Sequence, residues 1–282
     1  MFRFENSVLA MVFTLEAVVE AVKNSVLETA DCSHSGSAFS TLAGMSAPSL
    51  RARVRTEMIE EIKAVARRRL AVDGADLSLR GVARDMGIVA SALYRYFPSR
   101  DDLLTALILE GYESLGAAAT SAAAAVSEGD YRGRWIAVCA AVRDWALAHP
   151  TEYGLLYGSP VPGYSAPQDT IRPASTVVLL LSDIATAATA AGRLEPPPLP
   201  TPLPAPVRAD LRALIDQRAQ AEHLTADLPE DTLARVFTSW TQLFGLISFE
   251  IFGRLEGTID ARPDYFDYQA NLMADLVGLP NA

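Results

Sequence analysis

Apolar residues recur every three or four positions through most of this chain, the period of a helix face rather than of a strand. From Arg53 onward, Met58, Ile59, Ile62, Val65, Ala66 and Leu70 keep that spacing, and Arg67, Arg68 and Arg69 fall largely outside the stripe. The clearest case is DTLARVFTSWTQLFGLISFEIF, residues 231–252. There Leu233, Phe237, Trp240, Phe244, Ile247 and Ile251 step by 4, 3, 4, 3 and 4, and Val236 and Leu243 widen the face. Helices are also predicted in RWIAVCAAVRDWALAH, TVVLLLSDIATAATAAG, VRADLRALIDQRAQAE and DYFDYQANLMADLVG. No stretch alternates as a half-buried strand would, and no internal repeat is visible. The predicted fold class is all-α.

Punctuation divides these helices. Gly74 should end the first one. Ser78 stands where an N-cap belongs, ahead of LRGVARDM, and Gly87 makes a short turn before VASALYRYF. Ser99 caps the next helix, with Asp101 and Asp102 in its first turn, where the positive helix end favours acids. That helix runs through LLTALILEGYESLGAAA. The run EPPPLPTPLPAP, residues 195–206, is incompatible with helix or central strand and reads as a stiff linker. Residues 1–44 begin with a helical patch and dissolve into DCSHSGSAFSTLAG. Met45, followed by SAPSLRARVR, reads like a natural beginning. Three regions are therefore expected: an extension over 1–48, disordered or upstream of the true start; a small domain over 49–115; and a larger helical domain over 116–282.

Charge sharpens this division. Over 282 residues the net charge is −10, which argues against uniform nucleic-acid binding. Yet residues 51–100 hold 11 Lys and Arg against 6 Asp and Glu, while residues 101–282 hold 11 against 23. A basic island on an acidic body looks like a small anion-binding module joined to something else. Two cysteines, Cys32 and Cys139, make no disulfide framework, and Cys139 lies on an apolar helix face as a core residue would. The segment VLAMVFTLEAVVEAV carries Glu16 and Glu20, so it suits neither a leader peptide nor a bilayer span. A cytoplasmic protein without a membrane partner is expected. No metal-spaced His/Cys cluster, glycine-rich phosphate loop or nucleophile elbow stands out, so no catalytic residue, cofactor or metal is assigned. His149, before Pro150, is read as capping a helix end.

Residues 78–97 combine a short helix, a glycine turn and a second short helix. Ala83 and Gly87 are small where two helices must cross closely, and Leu79, Val82, Ile88 and Leu93 are available to pack the inner faces. This is helix-turn-helix spacing, and the local basic charge raises its weight. The stretch SLRGVARDMGIVASALYRYFPSRDDLLTALI resembles the N-terminal DNA-binding domain of the TetR family of transcriptional regulators, over roughly residues 53–115. The resemblance implies that Tyr94 and Tyr96 place their hydroxyls on the DNA backbone and that Arg100 meets a phosphate. It further implies that Ser78 contacts phosphate as a helix cap, that Phe97 turns inward, and that Val89, Ala90 and Ser91 face base edges. Arg80 completes the expected DNA-binding set. Many relatives carry Ser-Arg or Ser-Lys at Val89-Ala90, so an Arg–guanine contact from there is absent, while apolar contact with thymine methyls is available.

Beyond residue 130, WALAHPTEYGLLYGSPVPGYSAP and WTQLFGLISFEIFG resemble the TetR-type C-terminal domain named for its Trp-His-Gly motif. Trp240 and Gly245 match, whereas Phe244 stands at the histidine position, which implies a more apolar site. Trp145, Tyr153, Trp240 and Phe244 are first of all packing residues and second the candidates for lining an effector site. The resemblance implies a homodimer on a double-stranded operator, with much of the outer edge of the 231–252 stripe at the dimer seam. The expected function is a ligand-responsive transcriptional regulator, a repressor released from its operator by a small hydrophobic effector. The competing reading is an all-helical dimeric small-molecule-binding or structural protein without operator-specific DNA binding.

Overall fold

A computed structural model describes residues 50–73, 77–195, 201–222 and 228–281. The expected extension over 1–48 and the stop at Gly74 lie outside the described residues. The helices are α1 (Leu50–Asp73), α2 (Leu79–Asp85), α3 (Ala90–Leu93), α4 (Arg100–Ala124) and α5 (Tyr131–Ala148), then α6 (Pro150–Tyr157), α7 (Ile171–Ala190), α8 (Ala205–Glu222), α9 (Glu230–Ile251) and α10 (Arg262–Val277). A 3₁₀ turn, Gln168–Thr170, leads into α7, and no strand occurs among the described residues. The all-α expectation holds.

Helix α4 belongs to both ends of the molecule. Its first half buries Leu103, Leu104, Leu107 and Ile108 in one core with Ile62, Val65 and Ala66 of α1, Leu79 and Val82 of α2, Leu93 of α3, and Phe97. Its second half buries Leu115, Ala119 and Ala123 in the body, against α5 and α7. Small residues permit this: a Cβ on Gly116 would stand 2.8 Å from the Thr176 methyl of α7, and one on Gly111 3.2 Å from Leu156 of α6. The helix starts where its sequence says it should. The Ser99 hydroxyl oxygen accepts from the Asp102 amide at 3.1 Å and donates to the Asp102 carboxylate at 2.7 Å.

Helix α7, with its leading turn, is long and apolar enough to cross a membrane by length and composition. It is apolar because it is the central core helix, packed on α4, α5 and α9 with Val177, Val178, Leu181, Ile184 and Ala185 buried. Its hydroxyls are satisfied internally: Ser175, Ser182, Thr186 and Thr189 each donate to the carbonyl four residues back. Helices α9 and α10 pack along α5, and Leu233, Val236, Trp240, Leu243, Phe244 and Ile247 bury the expected stripe within the chain.

Two expectations about elements change. Ala205 and Pro206 of the proline-rich run form the first turn of α8, where proline costs no intrahelical hydrogen bond. Helix α6 carries no periodic signal in the sequence, yet it forms: Pro150 occupies its first position, and the His149 carbonyl accepts from the Tyr153 amide at 2.9 Å. His149 closes α5 as expected, its ring Nδ1 donating to the Trp145 carbonyl at 2.8 Å. Cys139 is fully buried, and burial pushes its thiol up to about 12.

Candidate nucleic-acid interface

The α2–α3 corner is built by one turn. The Ser78 hydroxyl oxygen accepts from the Gly81 amide at 3.1 Å and opens α2. At the other end, Ile88 N–H donates to the Ala83 carbonyl at 3.0 Å and Gly87 N–H to the Arg84 carbonyl at 3.1 Å. These are Schellman contacts, and Gly87 closes them at φ 67, a left-handed conformation that other residues adopt at a cost. Ala83, Val82 and Leu93 are buried beneath the corner. Across it, Arg69 of α1 lies over Gly81 and pairs with Asp85 at 3.2 Å.

Helix α3 is shorter than VASALYRYF suggests. Its regular turns end at Leu93, after which Arg95 and Tyr96 donate to carbonyls three residues back, at 3.3 and 2.9 Å. Phe97 anchors the end in the core, and Pro98 follows. The outer surface of the corner carries the expected residues. Ser78, Arg80, Val89, Ser91 and Tyr94 are exposed, with Val89 70% and Tyr94 44% accessible, and Ala90 is half-buried. Arg84 and Arg95, absent from the expected set, are exposed on the same motif, and only their charge could have nominated them. Tyr96 is half-buried, and the Arg55 guanidinium of α1 sits 5.3 Å from its ring centre.

Arg100 differs from the rest. Its Nε donates to the Leu77 carbonyl at 2.9 Å, and its Nη1 reaches the Pro162 carbonyl at 3.5 Å. The side chain therefore ties the entrance of α2 and the loop after α6 to the head of α4. Further along, Lys63 of α1 pairs with Glu110 of α4 at 2.8 Å and with Glu60 at 2.6 Å, and Arg67 bonds Glu110 and meets Glu152 of α6 at 3.5 Å. Burial disfavours charge on Lys63, but both carboxylates outweigh it and hold the ammonium above its ordinary range. Helix α6 and its loop thus touch the corner-bearing half at Arg67, at Arg100 and at Thr105, whose hydroxyl shares a 2.9 Å hydrogen bond with Tyr164.

In the body, three of the four candidates converge. The Tyr153 hydroxyl donates to the Phe244 carbonyl at 3.0 Å and shares a 2.8 Å hydrogen bond with Ser248, and burial pushes the phenol up to about 12. Phe244 and Trp240 lie edge to face, their centres 6.1 Å apart. Trp145 points elsewhere: its Nε1 donates to Ser114 at 2.9 Å and its ring stacks on His149. Sequence reading missed Tyr157, whose ring centre is 4.4 Å from that of Phe244, and Tyr112, which stands edge-on to Tyr157 at 6.0 Å.

A basic helix-turn-helix corner on an acidic helical body defines a DNA-binding regulator of the two-domain helical type. The comparisons agree. Residues 62–107 match the model of the bacterial regulatory proteins, tetR family, and residues 135–273 match the tetracyclin repressor-like C-terminal domain. HTH-type transcriptional regulator Rv1816 of Mycobacterium tuberculosis is 35% identical over 222 residues, covering 78% of this chain and 92% of that protein. HTH-type transcriptional regulator Mb1846 of Mycobacterium bovis matches equally. The crystal structure of regulatory protein SCO4313 superposes with a TM-score of 0.63 at 32% identity, covering 79% of this chain and 98% of that one. A tetR-family regulatory protein from Rhodococcus RHA1, at 17% identity and a TM-score of 0.53, shares the fold. The chain belongs to the TetR family and is a transcriptional regulator.

Proposed function

We propose that this regulator is a homodimeric repressor that leaves its operator when a small hydrophobic effector enters the body. The observation that carries the reading is the pairing of an exposed basic corner with a buried aromatic cluster, joined through α6. Val89, Ala90 and Ser91 would meet base edges, while Ser78, Arg80, Tyr94 and Tyr96 hold the backbone. Arg100 acts there mainly as a positioning residue, because Leu77 and Pro162 already engage its guanidinium. The dimer seam falls on the outer face of α9 and α10, where Phe249, Phe252, Tyr268 and Leu272 remain 40–58% accessible. Phe237 and Ile251, on the outer edge of the 231–252 stripe, stay half-buried.

An effector against Phe244 and Tyr153 would shift α6. Its pairing with Arg67 and the contact of its loop with Arg100 would carry that shift to the corners, so that they no longer match successive major grooves. The body's excess of carboxylates disfavours strongly anionic effectors. The test is a gel shift on the DNA upstream of the chain's own gene, titrated with hydrophobic and charged compounds. A hydrophobic compound should release the DNA, and Phe244→Ala should change the concentration needed while leaving ligand-free binding nearly intact. Release by strongly anionic compounds alone, or loss of ligand-free binding in Phe244→Ala, contradicts the reading.

A further inference from the structure

Tyr112 of α4 and Tyr157 at the end of α6 stand edge to face in the aromatic cluster, and the Tyr112 hydroxyl has no hydrogen-bond partner among the described residues. Tyr112 is 2% exposed, and its Oη is buried without a partner. Buried phenols ordinarily find an acceptor, because an unmatched O–H loses its water and gains nothing in return. Tyr157 combines two properties of a wall residue. Burial and the neighbouring hydroxyls of Tyr112 and Tyr153 hold its phenol far above the ordinary range, yet its side chain keeps accessible surface. The helix face one turn earlier is open, since a Cβ built on Gly154 would meet nothing within 4 Å. The other walls are apolar, Phe244 at 4.4 Å between ring centres and, beyond it, Trp240.

We propose that Tyr112 and Tyr157 are the polar anchors of the effector site, donating hydrogen bonds to an uncharged acceptor oxygen, a ketone, lactone or ether, on an apolar ring system. The proposal rests on the effector reading above and names its chemistry. Two phenols on adjacent rings offer donors to an acceptor. The cations at this end of the body are already engaged, Arg67 with Glu110 and Glu152 and Arg100 with Leu77 and Pro162. The same surroundings that resist a phenolate resist a carboxylate ligand. Tyr153 does not compete for this task, since its hydroxyl is committed to Phe244 and Ser248.

The test uses three probes of one shape on the full chain, without DNA: 2-acetylnaphthalene, its acceptor-free counterpart 2-ethylnaphthalene, and the anion 2-naphthoate, with affinities read by calorimetry. The ketone should bind about tenfold more tightly than the hydrocarbon, as two new hydrogen bonds warrant, one of them to the unmatched Tyr112 hydroxyl. Tyr112→Phe and Tyr157→Phe should each weaken the ketone roughly three- to tenfold and leave the hydrocarbon unchanged. Tyr112→Phe should also raise the ligand-free melting temperature, since it removes an unmatched buried hydroxyl. Equal binding of ketone and hydrocarbon, tightest binding of naphthoate, no saturable binding of any probe, or an unchanged ketone preference in both Phe variants overturns the proposal. Because DNA is absent, these outcomes leave operator binding and its release untouched, and failure of the gel shift leaves this titration standing.

Discussion

Arg143 and Glu250 form the most enclosed of the ion pairs described, and removing one partner should be strongly destabilising. Their side chains are 12% and 7% exposed. Arg143 of α5 grips Glu250 of α9 through two parallel hydrogen bonds, Nε to Oε2 at 2.8 Å and Nη2 to Oε1 at 2.6 Å. Its guanidinium also lies 5.0 Å from the ring centre of Phe266 on α10, so one side chain ties three helices. The carboxylate outweighs the desolvation of Arg143 and raises its pKa. Glu250→Ala leaves that cation buried with only a ring face and distant carboxylates, a situation that costs about 3–5 kcal/mol. For a domain of this size, the loss corresponds to a fall in Tm on the order of 10 °C. Arg143→Met with Glu250→Leu removes both charges and should restore most of the loss, because well-packed apolar pairs match or exceed buried ion pairs. Urea unfolding of wild type, Arg143→Met, Glu250→Leu and the double variant measures the coupling, with Glu250→Ala measured beside them. A Glu250→Ala protein within about 1 kcal/mol of wild type, or a double variant as unstable as the sum of its singles, refutes the reasoning.

Gly87→Ala should cost about 1 kcal/mol in urea unfolding and weaken DNA binding, because φ 67 is strained for alanine and the turn sets the angle between α2 and α3; an unchanged midpoint and affinity contradicts this. In a Cys32→Ser background, Cys139 should react with a disulfide reagent at pH 8 only as fast as the chain opens, since a thiol pushed up to about 12 leaves almost no thiolate. The sign for stability follows. The folded state favours the neutral thiol and the neutral Tyr153 phenol, so that contribution is full below pH about 9 and declines as pH rises towards 12; flat stability across that window counts against it.

The long helices were legible because each buries a stripe at three- and four-residue spacing: Ile62, Val65 and Ala66 on α1, and Leu233, Val236, Trp240 and Leu243 on α9, are buried where the period places them. Turn chemistry was legible too, since Ser78, Gly87 and Ser99 act through bonds to near neighbours. Helix α6 was hidden because eight residues span barely two turns, too few to display a period. The partners of Arg67 and Arg100 were hidden for another reason. They come from residues 43 and 62 positions away, and no local pattern encodes which carboxylate or carbonyl the fold delivers. The same distance explains Tyr112, whose role depends on what is missing around its hydroxyl, Tyr157, which is placed by rings from distant helices, and Trp145, which looked like its neighbours but turned to Ser114.

The central claim is that the α2–α3 corner reads DNA as one half of a symmetric pair. Selection of bound duplexes from a random pool by the full chain tests it most directly. The account expects enrichment of an inverted repeat whose half-sites lie one helical turn, or a multiple of it, apart. Val89 and Ser91 variants should shift the bases preferred within each half-site, and Tyr94→Phe should weaken all of them alike. A pool that yields no enriched sequence, or a single half-site without symmetry, contradicts it.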